Sequence, residues 1–484
     1  MTSPKFSSII LAGGLGTRMK STLPKVLHPV AGLPMIQRII GALHESGAQE
    51  IRVVVGHGES LVRGLVEPLG ANCHRQERQL GTADAVKAAD VNSLEGIVLI
   101  CNGDHPLVHA HDFRDLLQAF RAQKLDLAVA TSTLRQPGSF GRVVRQHGRL
   151  ACIVEARDAS PQTLAIREVN TGIYLARAEM LQEFLPQIKN DNNKQEFYLT
   201  DLVGLALKAG KKVDGISVPP RVAFGVNDQI ELARASRIVY RRKARTLLEN
   251  GVILLDPQRT YVDDRVEVAA GCVLYPDVYL KGTTRLSPFC VVEPNCMLID
   301  AQLGENVHVR AFSHLEGAVV AARCEVGPYA RLRPGSALAE EVHIGNFVEL
   351  KNTKMGARAK ANHHSYLGDA EIGEGTNIGC GTITCNYAVD RKKYKTKIGK
   401  NVFVGSDSQF VAPVEVGDDA VIGSGSTITK PVPARALGIS RARQMVRENY
   451  VSPPPANAAQ QNEVGVTTQT PPPKGDDLKR NEGH

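Results

Sequence analysis

The stretch Ile398-Gly-Lys-Asn-Val-Phe-Val-Gly-Ser406 decides the fold of the C-terminal half of the chain. An Ile-Gly or Val-Gly pair occurs in it at a step of six residues, and the step continues to Gly417 and Gly423, with Val411 in the slot between. Such a repeat is typical of a parallel β-helix, because the aliphatic residue points into a triangular prism and the small residue after it permits the corner. We therefore predict a β-helix over residues 251–451.

The repeat breaks its phase at two places. The interval from Gly379 to Gly399 exceeds three hexapeptides by two residues, and the interval from Gly345 to Gly373 exceeds four hexapeptides by four. Insertions in a solenoid emerge as loops, often on the binding face. We expect one excursion within 385–397 and another between Gly345 and Gly373.

Residues 1–228 follow a different pattern, in which apolar runs alternate with amphipathic segments. The runs at 51–55, 96–100 and 127–130 predict buried strands, and the segments at 35–46 and 82–90 predict helices. This alternation indicates a Rossmann-like α/β domain with a mainly parallel sheet. Ligands bind such sheets at the carboxyl ends of the strands.

The remaining segments connect or follow these two domains. Residues 229–250 predict a linker helix, with Asp228 as its N-cap and Gly251 at its end. Residues 452–484 contain two Pro-Pro-Pro runs, no aromatic residue and one Leu, so they cannot bury enough apolar area to offset the entropy of ordering. We predict that this tail is disordered.

The composition is that of a globular protein with two or three domains. The chain has 484 residues, of which 43% are apolar and 22% charged, and no apolar run approaches the roughly 20 residues of a membrane span. We therefore expect a cytoplasmic protein without membrane insertion. A mild net charge of +8 with 5% aromatic residues and no Trp gives little reason to expect nucleic-acid binding. Nine cysteines, none spaced Cys-x-x-Cys, suggest neither a zinc site nor a disulfide framework.

A glycine-rich loop carries the first chemical signal. It reads Leu11-Ala-Gly-Gly-Leu-Gly-Thr-Arg-Met19, follows an apolar run, and is followed by Pro24-Lys25. Its glycines let backbone N–H groups approach an anion, and Arg18 and Lys25 add positive charge. Met19 stands where a dinucleotide fingerprint needs a third glycine, and the Walker Gly-Lys-Ser/Thr is absent. The pattern favours a different loop that grips a nucleotide phosphate.

The loop resembles the signature of sugar-phosphate nucleotidyltransferases. Its fusion to a hexapeptide β-helix resembles the bifunctional UDP-N-acetylglucosamine pyrophosphorylase / glucosamine-1-phosphate N-acetyltransferase family over about residues 6–446. This resemblance implies a left-handed β-helix that acetylates glucosamine 1-phosphate with acetyl-CoA. It also implies an N-terminal domain that transfers UMP from UTP to N-acetylglucosamine 1-phosphate and releases pyrophosphate. The product supplies cell-wall and lipopolysaccharide precursors.

The resemblance assigns the N-terminal site residue by residue. Arg18 and Lys25 would neutralise charge in the transition state, and Asp104 with Asn227 would bind Mg²⁺. The residues implied to contact UTP and the nucleotide sugar are Leu11, Ala12, Gly13, Gly14, Lys25, Gln76, Gly81, Thr82, Gly141, Glu155, Asn170 and Asn227.

The resemblance assigns the C-terminal site in the same way. His363 would accept the proton of the sugar amine, with Glu349 a possible orienting group. The implied sugar-phosphate contacts are Arg333, Lys351, Tyr366 and Asn377; the implied acetyl-CoA contacts are Cys380, Asn386, Tyr387, Ser406, Ser424 and Arg441, with Lys393 a weaker match. The family further implies a homotrimer with acetyl-transfer sites at subunit boundaries. If the segment around it is extended, His364 lies on the opposite face from His363.

Several residues depart from the family pattern: Gly13, Leu15, Asn102, His105 and Cys380. Three alternatives also stay open at this point. The β-helix could serve only for oligomerisation, as in ADP-glucose pyrophosphorylases, although a structural prism needs neither His363 nor Tyr366. The chain could be a non-catalytic binding subunit, although Arg18, Lys25 and Asp104 are all present. It could also use dTTP beside UTP.

Overall fold

The computed structural model describes residues 6–192 and 194–451, and its N-terminal part is built around one nine-stranded sheet. The strands of this part are β1 (Phe6–Leu11), β2 (Pro29–Val30), β3 (Leu33–Pro34), β4 (Ala48–Val55), β5 (Asn72–Arg75), β6 (Ile97–Asn102), β7 (Leu127–Thr133), β8 (Arg142–Gln146), β9 (Arg149–Val154), β10 (Glu168–Arg177) and β11 (Val213–Ser217). The helices are α1 (Met35–Ser46), α2 (Glu59–Val66), α3 (Thr82–Ala88), α4 (Ala110–Ala122), α5 (Pro161–Leu164), α6 (Ala178–Phe184), α7 (Asp201–Lys208) and α8 (Gln229–Glu249). Short 3₁₀ turns lie at Thr17–Met19, Lys25–Leu27, Glu67–Leu69, Val91–Ser93, Leu185–Gln187 and Pro220–Ala223.

The strands run in the order β11-β7-β10-β6-β1-β4-β5, with the β8–β9 hairpin attached to β10. Only β10 is antiparallel to its neighbours along this path, so the predicted mainly parallel sheet is confirmed. Helices α1, α2 and α4 cover one face and α3, α6 and α7 the other. Burial on both faces explains the continuous apolar runs.

The carboxyl ends of β1 and β6 lie side by side. Leu11, the last residue of β1, pairs with Asn102, the last residue of β6. The glycine-rich loop after β1 and the Asn102–Pro106 segment after β6 therefore start from the same edge of the sheet, as the sequence predicts.

Helix α8 follows the sheet and begins where the sequence places it. Asp228 caps it, because its Oδ1 accepts a hydrogen bond of 2.8 Å from the backbone N–H of Glu231. The helix joins the N-terminal part to the first β-helix coil: Tyr240 donates to Asp263, and Arg38 of α1 forms an ion pair of 2.9 Å with Asp264. No helix in the described ranges is both long and apolar enough to cross a membrane.

The C-terminal part consists of three parallel sheets that form the faces of a prism, as predicted. Face one contains Ile253–Leu254, Val273–Leu274, Val291–Val292, His308–Val309, Glu325–Val326, His343–Asn346, Lys360–His363, Asn377–Ile378, Phe403–Val404, Val421–Ile422 and Leu437–Gly438. Face two contains Thr260–Val262, Val278–Lys281, Met297–Ile299, His314–Glu316, Arg331–Leu332, Glu349–Lys351, Tyr366–Gly368, Ile383–Cys385, Gln409–Val411 and Thr427–Ile428. Face three contains Glu267–Val268, Arg285–Leu286, Gln302–Leu303, Val319–Val320, Ala337–Leu338, Lys354–Met355, Ala370–Ile372, Thr396–Ile398 and Val414–Val416.

One inward side chain per strand builds the prism core. On face one these side chains stack from coil to coil and are completely buried; they include Leu274, Val292, Val309, Val326 and Ile344. Most corners contain a residue with positive φ, and in the corner between faces one and two the rings of Phe312, Tyr329 and Phe347 stack on one another.

The two phase breaks have different structural origins. The predicted excursion is confirmed: Asn377 and Phe403 pair as neighbours on face one although much more than one coil of sequence lies between them, and Tyr387 bridges Lys393 in the intervening loop. The predicted loop between Gly345 and Gly373 is wrong. There the partners on face one follow one another at a step one residue shorter than three hexapeptides, so shortened coils, rather than an insertion, shift the phase.

Arg441–Val451 belong to a separate unit, in which no helix or strand occurs among the described residues. The predicted tail 452–484 lies outside the described residues. The domain limits 1–228, 229–250 and 251–451 stay predictions.

Candidate active sites

The glycine-rich loop is held open at the end of β1. A Cβ at Gly14 would meet nothing within 4 Å, so this part of the loop faces free space. Gly16 has φ +59 and approaches Lys25 so closely that a Cβ there would lie 2.9 Å from that side chain, which requires glycine. Met19 ends the loop in a buried position, and its carbonyl accepts a hydrogen bond of 2.9 Å from Gln229 of α8.

Four predicted residues from distant parts of the chain meet beside this loop. The ammonium of Lys25 forms an ion pair with Asp104 and donates to Asn227 Oδ1 at 3.0 Å. Arg18 donates to the same amide oxygen at 2.9 Å. Asn227 is fixed in turn, because its backbone N–H donates to Glu231 of α8 at 2.7 Å. Two cationic side chains and two side chains with acceptor oxygens are thus linked directly by hydrogen bonds and an ion pair.

Asp104 is ionised, and one of its two carboxylate oxygens accepts no hydrogen bond from the described residues. Burial alone would raise the pKa of Asp104, but Lys25 and, less strongly, His105 outweigh it, so this pKa lies below its ordinary value. Its Oδ1 is buried without a hydrogen-bond partner among the described residues. A carboxylate oxygen and an amide oxygen fit Mg²⁺, which takes few protein ligands and completes its shell with water and phosphate oxygens. Elsewhere in the described residues, no group of three or more His, Cys, Asp or Glu side chains could hold a metal.

A cavity of about 280 Å³ extends from the loop across the sheet edge. Its lining includes Leu11, Ala12, Gly13, Gly14, Lys25, Gln76, Gly81, Thr82, Asn102, Asp104 and Glu196. Gln76 is buried, and its Nε2 donates to Asp84 at 2.8 Å and to the Gly81 carbonyl at 3.2 Å. Gly81 has φ +123, and a Cβ there would lie 2.5 Å from the Phe197 carbonyl oxygen, so only glycine fits. The structure therefore brings these predicted UTP contacts together.

An adjoining cavity of about 220 Å³ contains the other predicted sugar contacts. Gly141, Glu155 and Asn170 all line it, and it shares Leu11 and Asn102 with the first cavity. Asn170 Nδ2 donates to the Tyr174 hydroxyl at 2.7 Å. Burial raises the pKa of Glu155 above its ordinary value. Both cavities lie at the carboxyl ends of strands, where such sheets bind ligands.

The sequence analysis missed Arg142, which shapes the second cavity. This side chain is buried and donates to the carbonyls of Phe140, Gly138 (2.9 Å) and Leu164 (3.3 Å). It has no ion-pair partner among the described residues. A buried guanidinium that binds three carbonyls fixes the loop before Gly141.

The departures in this site have visible consequences. An alanine at position 13 would bring a Cβ to 3.1 Å from Gln76 Oε1, so glycine relieves a close contact. Leu15 is 58% exposed and contributes to no core. His105 is buried beside Asp104, with burial as the main cause of its lowered pKa, and a Cβ at Gly225 would lie 2.9 Å from its ring.

His363 in the β-helix ends a strand of face one and is exposed. Its Nδ1 lies 3.0 Å from Asn346 Oδ1, one coil earlier. Because an amide oxygen only accepts, Nδ1 is the donor in this contact, and in a neutral ring the lone pair is then on Nε2. Glu349, the considered orienting group, instead binds Arg333 at 2.9 Å. Asn346 escaped the sequence analysis, although its distance from His363 along the chain is the length of one coil.

The expectation that His364 lies on the opposite face from His363 assumed an extended segment. This assumption is wrong, because the segment is not extended at His364. His364 has φ +44 and turns the corner after His363. Its ring meets Phe347 edge-on, with 6.4 Å between centroids. His364 therefore continues the aromatic corner, and both histidines are exposed.

Three predicted coenzyme A contacts follow His363 along one line of the prism. The backbone N–H of Asp407 donates to the Cys380 carbonyl, and that of Gly425 donates to the Ser406 carbonyl. These bonds stack Cys380, Ser406 and Ser424 in successive coils at the corner between faces one and two, and all three are exposed. Cys380 takes part in this stacking through its backbone carbonyl, which a change of its side chain leaves in place.

Three cationic side chains gather beside face two: Lys351 at the end of a strand, Arg333 just after a strand, and Lys393 from the excursion. The ammonium of Lys393 lowers the pKa of Lys351, and Arg333 adds to the effect. Like charges brought together on a surface attract an anion. Next to them, the Tyr366 hydroxyl and the Asn386 amide converge on Gly368, where a Cβ would lie 2.5 Å from the first and 2.7 Å from the second.

One predicted sugar contact lies on another face of the prism than this group. Asn377 is on face one, where it pairs with Lys360 and Phe403, whereas Lys351 and Tyr366 are on face two. Arg441 belongs to the separate unit, and its role stays a prediction. Tyr387 is 62% exposed at the start of the excursion.

Comparison with known proteins agrees with both halves of the structure. Residues 8–185 match the MobA-like NTP transferase domain family, and residues 395–430 match the bacterial transferase hexapeptide family (six repeats). The bifunctional protein GlmU of Bdellovibrio bacteriovorus is 55% identical over 442 residues, which cover 91% of this chain and 96% of that protein. GlmU of Pelobacter propionicus is 45% identical over 449 residues (92% and 97% covered), and GlmU of Acinetobacter baylyi 41% over 449 residues (92% and 98%).

An NTP-transferase sheet with a phosphate loop, followed in the same chain by a hexapeptide prism, defines a two-domain nucleotidyltransferase and acyltransferase. With relatives this similar over nearly their whole length, the chain belongs to the GlmU family of bifunctional proteins. It is a bifunctional enzyme of UDP-N-acetylglucosamine synthesis, with uridylyltransferase and acetyltransferase activities. The alternatives of a non-catalytic subunit and of a purely structural β-helix are thereby set aside.

Proposed function

We propose that uridylyl transfer takes place in the two adjoining cavities at the edge of the N-terminal sheet. The observation that carries this is the meeting of Arg18, Lys25, Asp104 and Asn227 beside a glycine-rich loop. Backbone N–H groups of the loop and the two cations suit a triphosphate. We assign Gln76 and Gly81 of the first cavity to the edge of uracil, and Glu155 and Asn170 of the second cavity to the sugar.

The reaction needs positioning more than proton transfer. An oxygen of the sugar phosphate forms a bond to the α-phosphorus of UTP while the bond from that phosphorus to the bridging oxygen breaks, and pyrophosphate leaves with the bonding electron pair. The attacking phosphate is already ionised, so no protein base is required. Arg18 and Lys25 then neutralise the charge that builds up on the phosphate oxygens. When bound between Asp104 and Asn227, Mg²⁺ supplies further charge neutralisation.

We propose that acetyl transfer takes place at the corner between faces one and two of the prism, with His363 as the base. Its Nε2 accepts a proton from the amine of glucosamine 1-phosphate, and the amine nitrogen forms a bond to the acetyl carbonyl carbon. The carbon–sulfur bond breaks, and coenzyme A leaves with the electron pair and a proton. Hydrogen bonding to Asn346 keeps Nε2 free for this role. The cations Arg333, Lys351 and Lys393 suit the sugar phosphate.

A homotrimer would complete this second site. Asn377 pairs with Lys360, at the opposite end of the face-one strand from His363, so within one chain it lies away from the corner that carries the other predicted sugar contacts. A neighbouring β-helix packed against the corner would bring its own Asn377 and Arg441 to the site. The exposed rings of Phe312, Tyr329 and Phe347 offer apolar area for such packing.

The test follows both products in one preparation. Purified protein receives glucosamine 1-phosphate, acetyl-CoA, UTP and Mg²⁺, and free thiol and pyrophosphate are measured separately. His363→Ala should abolish thiol release and leave pyrophosphate release from supplied N-acetylglucosamine 1-phosphate near normal. Asp104→Ala should give the reverse result. A folded variant that loses both activities would contradict two separate sites.

A further inference from the structure

A buried carboxylate lies just behind the proposed acetyl pocket. Asp369 follows the face-two strand Tyr366–Gly368, turns a corner with φ +47 and is 8% exposed. Its Oδ1 accepts a hydrogen bond of 2.6 Å from Asn352 Nδ2, and its Oδ2 accepts one of 2.5 Å from Asn386 Nδ2. It forms no ion pair among the described residues. Both oxygens are therefore committed to side-chain amides of the coils on either side.

This arrangement decides which end of the Asn386 amide faces outward. Asn386 is 7% exposed, and its NH₂ group is turned to Asp369. Its Oδ1 has no hydrogen-bond partner in the described part of the chain. The same residue opens the excursion, since its carbonyl accepts a hydrogen bond of 2.9 Å from the Tyr394 backbone N–H. The amide nitrogen thus lies near the Tyr366 hydroxyl at Gly368 and is held by Asp369, which leaves Oδ1 as the amide atom that can accept from a substrate.

We propose that Asp369 is a positioning residue for acetyl transfer, which orients Asn386 so that its carbonyl oxygen accepts a hydrogen bond from an N–H or O–H of the sugar. This inference rests on the proposed function, because it takes Asn386 as part of the acetyl pocket. Without the carboxylate, the amide can turn over and present a donor where the substrate also brings a donor. A donor facing a donor in a buried position is unfavourable.

An aspartate at the equivalent corner shows what a purely structural role looks like. Asp300 turns the same corner four coils earlier, with φ +49. Its carboxylate accepts from the backbone N–H (2.8 Å) and the hydroxyl (2.9 Å) of Thr283, which ties two coils together. Asp369 instead bonds two side-chain amides, one of which belongs to the proposed pocket. Asp300 is therefore a matched control.

Exchanging the amide at position 352 and the carboxylate at position 369 separates the orientation of the Asn386 amide from a general loss of protein stability. Asp369→Asn keeps shape and tolerates positive φ, but the new amide has only one oxygen for two donors. Adding Asn352→Asp restores complementarity: the amide at 369 accepts from Asn386 and donates to the carboxylate at 352. The double variant also restores the net charge. Asn352 lies outside the proposed pocket, so the swap does not alter a substrate contact.

The experiment measures kcat and KM of thiol release for glucosamine 1-phosphate, with pyrophosphate release as an internal control. Asp369→Asn should lower kcat/KM for acetyl transfer by about tenfold or more, as expected for one unmade buried hydrogen bond. Asn352→Asp alone, which sets two carboxylates against each other, should also lower it. The double variant should return to within about threefold of the parent. Asp300→Asn should leave acetyl transfer unchanged, and all four should keep pyrophosphate release.

The inference is overturned if Asp369→Asn stays within about twofold of the parent, or if the folded double variant is no better than the single ones. Should Asp369→Asn lower the melting temperature too far to assay, the comparison of Asn352→Asp with the double variant decides the matter alone. His363→Ala and Asn386→Ala report on the site itself. If both variants keep acetyl transfer, the proposed site is wrong. If both lose it while Asp369→Asn, Asn352→Asp and the double variant match the parent, the site stands and only the positioning role of Asp369 is refuted.

Discussion

Replacing Lys25 by methionine should have two opposite effects at the uridylyl-transfer site. The ammonium lies on both proposed magnesium ligands, Asp104 and Asn227, so Mg²⁺ without nucleotide has to displace it. The side chains of Lys25 and Asp104 are 18% and 16% exposed. Their ion pair therefore lies between a solvated pair, about 0–1 kcal/mol, and a buried one, about 3–5 kcal/mol when broken. We take about 2 kcal/mol, which corresponds to a roughly thirtyfold change in a dissociation constant.

Lys25→Met should therefore bind Mg²⁺ about thirtyfold more tightly than the parent in the absence of UTP. Pyrophosphate release should fall by about a hundredfold or more, because a cation that stabilises the transition-state charge is lost. Titration calorimetry with Mg²⁺ alone gives the first quantity and a pyrophosphate assay the second. Lys20→Met is the control, since Lys20 is exposed near the same loop and its side chain has no partner in the described chain. Unchanged or weaker Mg²⁺ binding by Lys25→Met would refute the competition between ammonium and metal.

Three further predictions concern the two sites. Asn346→Leu should lower kcat of acetyl transfer by about tenfold or more with pyrophosphate release unchanged, because Nδ1 of His363 loses the acceptor that fixes its tautomer; equal thiol release by the variant would contradict this. Arg142→Gln should raise KM for N-acetylglucosamine 1-phosphate by about tenfold in steady-state kinetics of pyrophosphate release, because the loop before Gly141 loosens. Arg149 is exposed, and Arg149→Gln should leave this KM unchanged. Co-expressed His363→Ala and Arg441→Ala chains should regain some acetyl transfer in proven mixed trimers, and an active monomer in sedimentation would exclude a shared site.

The fold was largely predictable because both halves repeat a simple pattern. A buried parallel strand needs apolar residues on both faces, so continuous runs such as 51–55 mark the sheet. The prism needs one inward aliphatic residue per strand, so the six-residue step marks its faces. The length of individual coils was not predictable in this way. A coil shortened by one residue keeps the local Ile-Gly or Val-Gly pairs and shifts only their spacing, which imitates an insertion.

The candidate sites were predictable to the extent that they lie in contiguous motifs. Arg18, Lys25 and Asp104 follow strand ends that lie at the same sheet edge, and they meet as expected. That Lys25 bonds the two proposed metal ligands could not be inferred, because it depends on how α8 returns Asn227 to the loop. Arg142 gave no signal either, since its partners are backbone carbonyls.

The residues of the β-helix that the sequence did not reveal were missed for one reason. The six-residue step relates positions within one coil, whereas these residues are related by the step from one coil to the next. Around the acetyl-transfer site that second step is one residue shorter than three hexapeptides on face one. It separates Asn346 from His363 and His363 from Cys380, and it separates Asn352 from Asp369 and Asp369 from Asn386. Side chains at matching positions of adjacent parallel strands lie about 4.8 Å apart, close enough for direct hydrogen bonds between short polar groups.

The number of residues in a coil therefore determines which side chains of adjacent coils can meet in the proposed site. One residue added between Asn346 and His363 would shift the register of the coil, move outward side chains toward the core and separate the base from its acceptor. The same change between Asn352 and Asp369 would remove the carboxylate from the amide that it orients. The extra residues of this region are placed after Asn386 instead, in the excursion that contains Lys393, where they leave the register of the coils before it undisturbed. The coils that carry Asn346, His363 and Asp369 keep one length from His343 to Asn377, and this holds side chains of adjacent coils at matching positions across the proposed site.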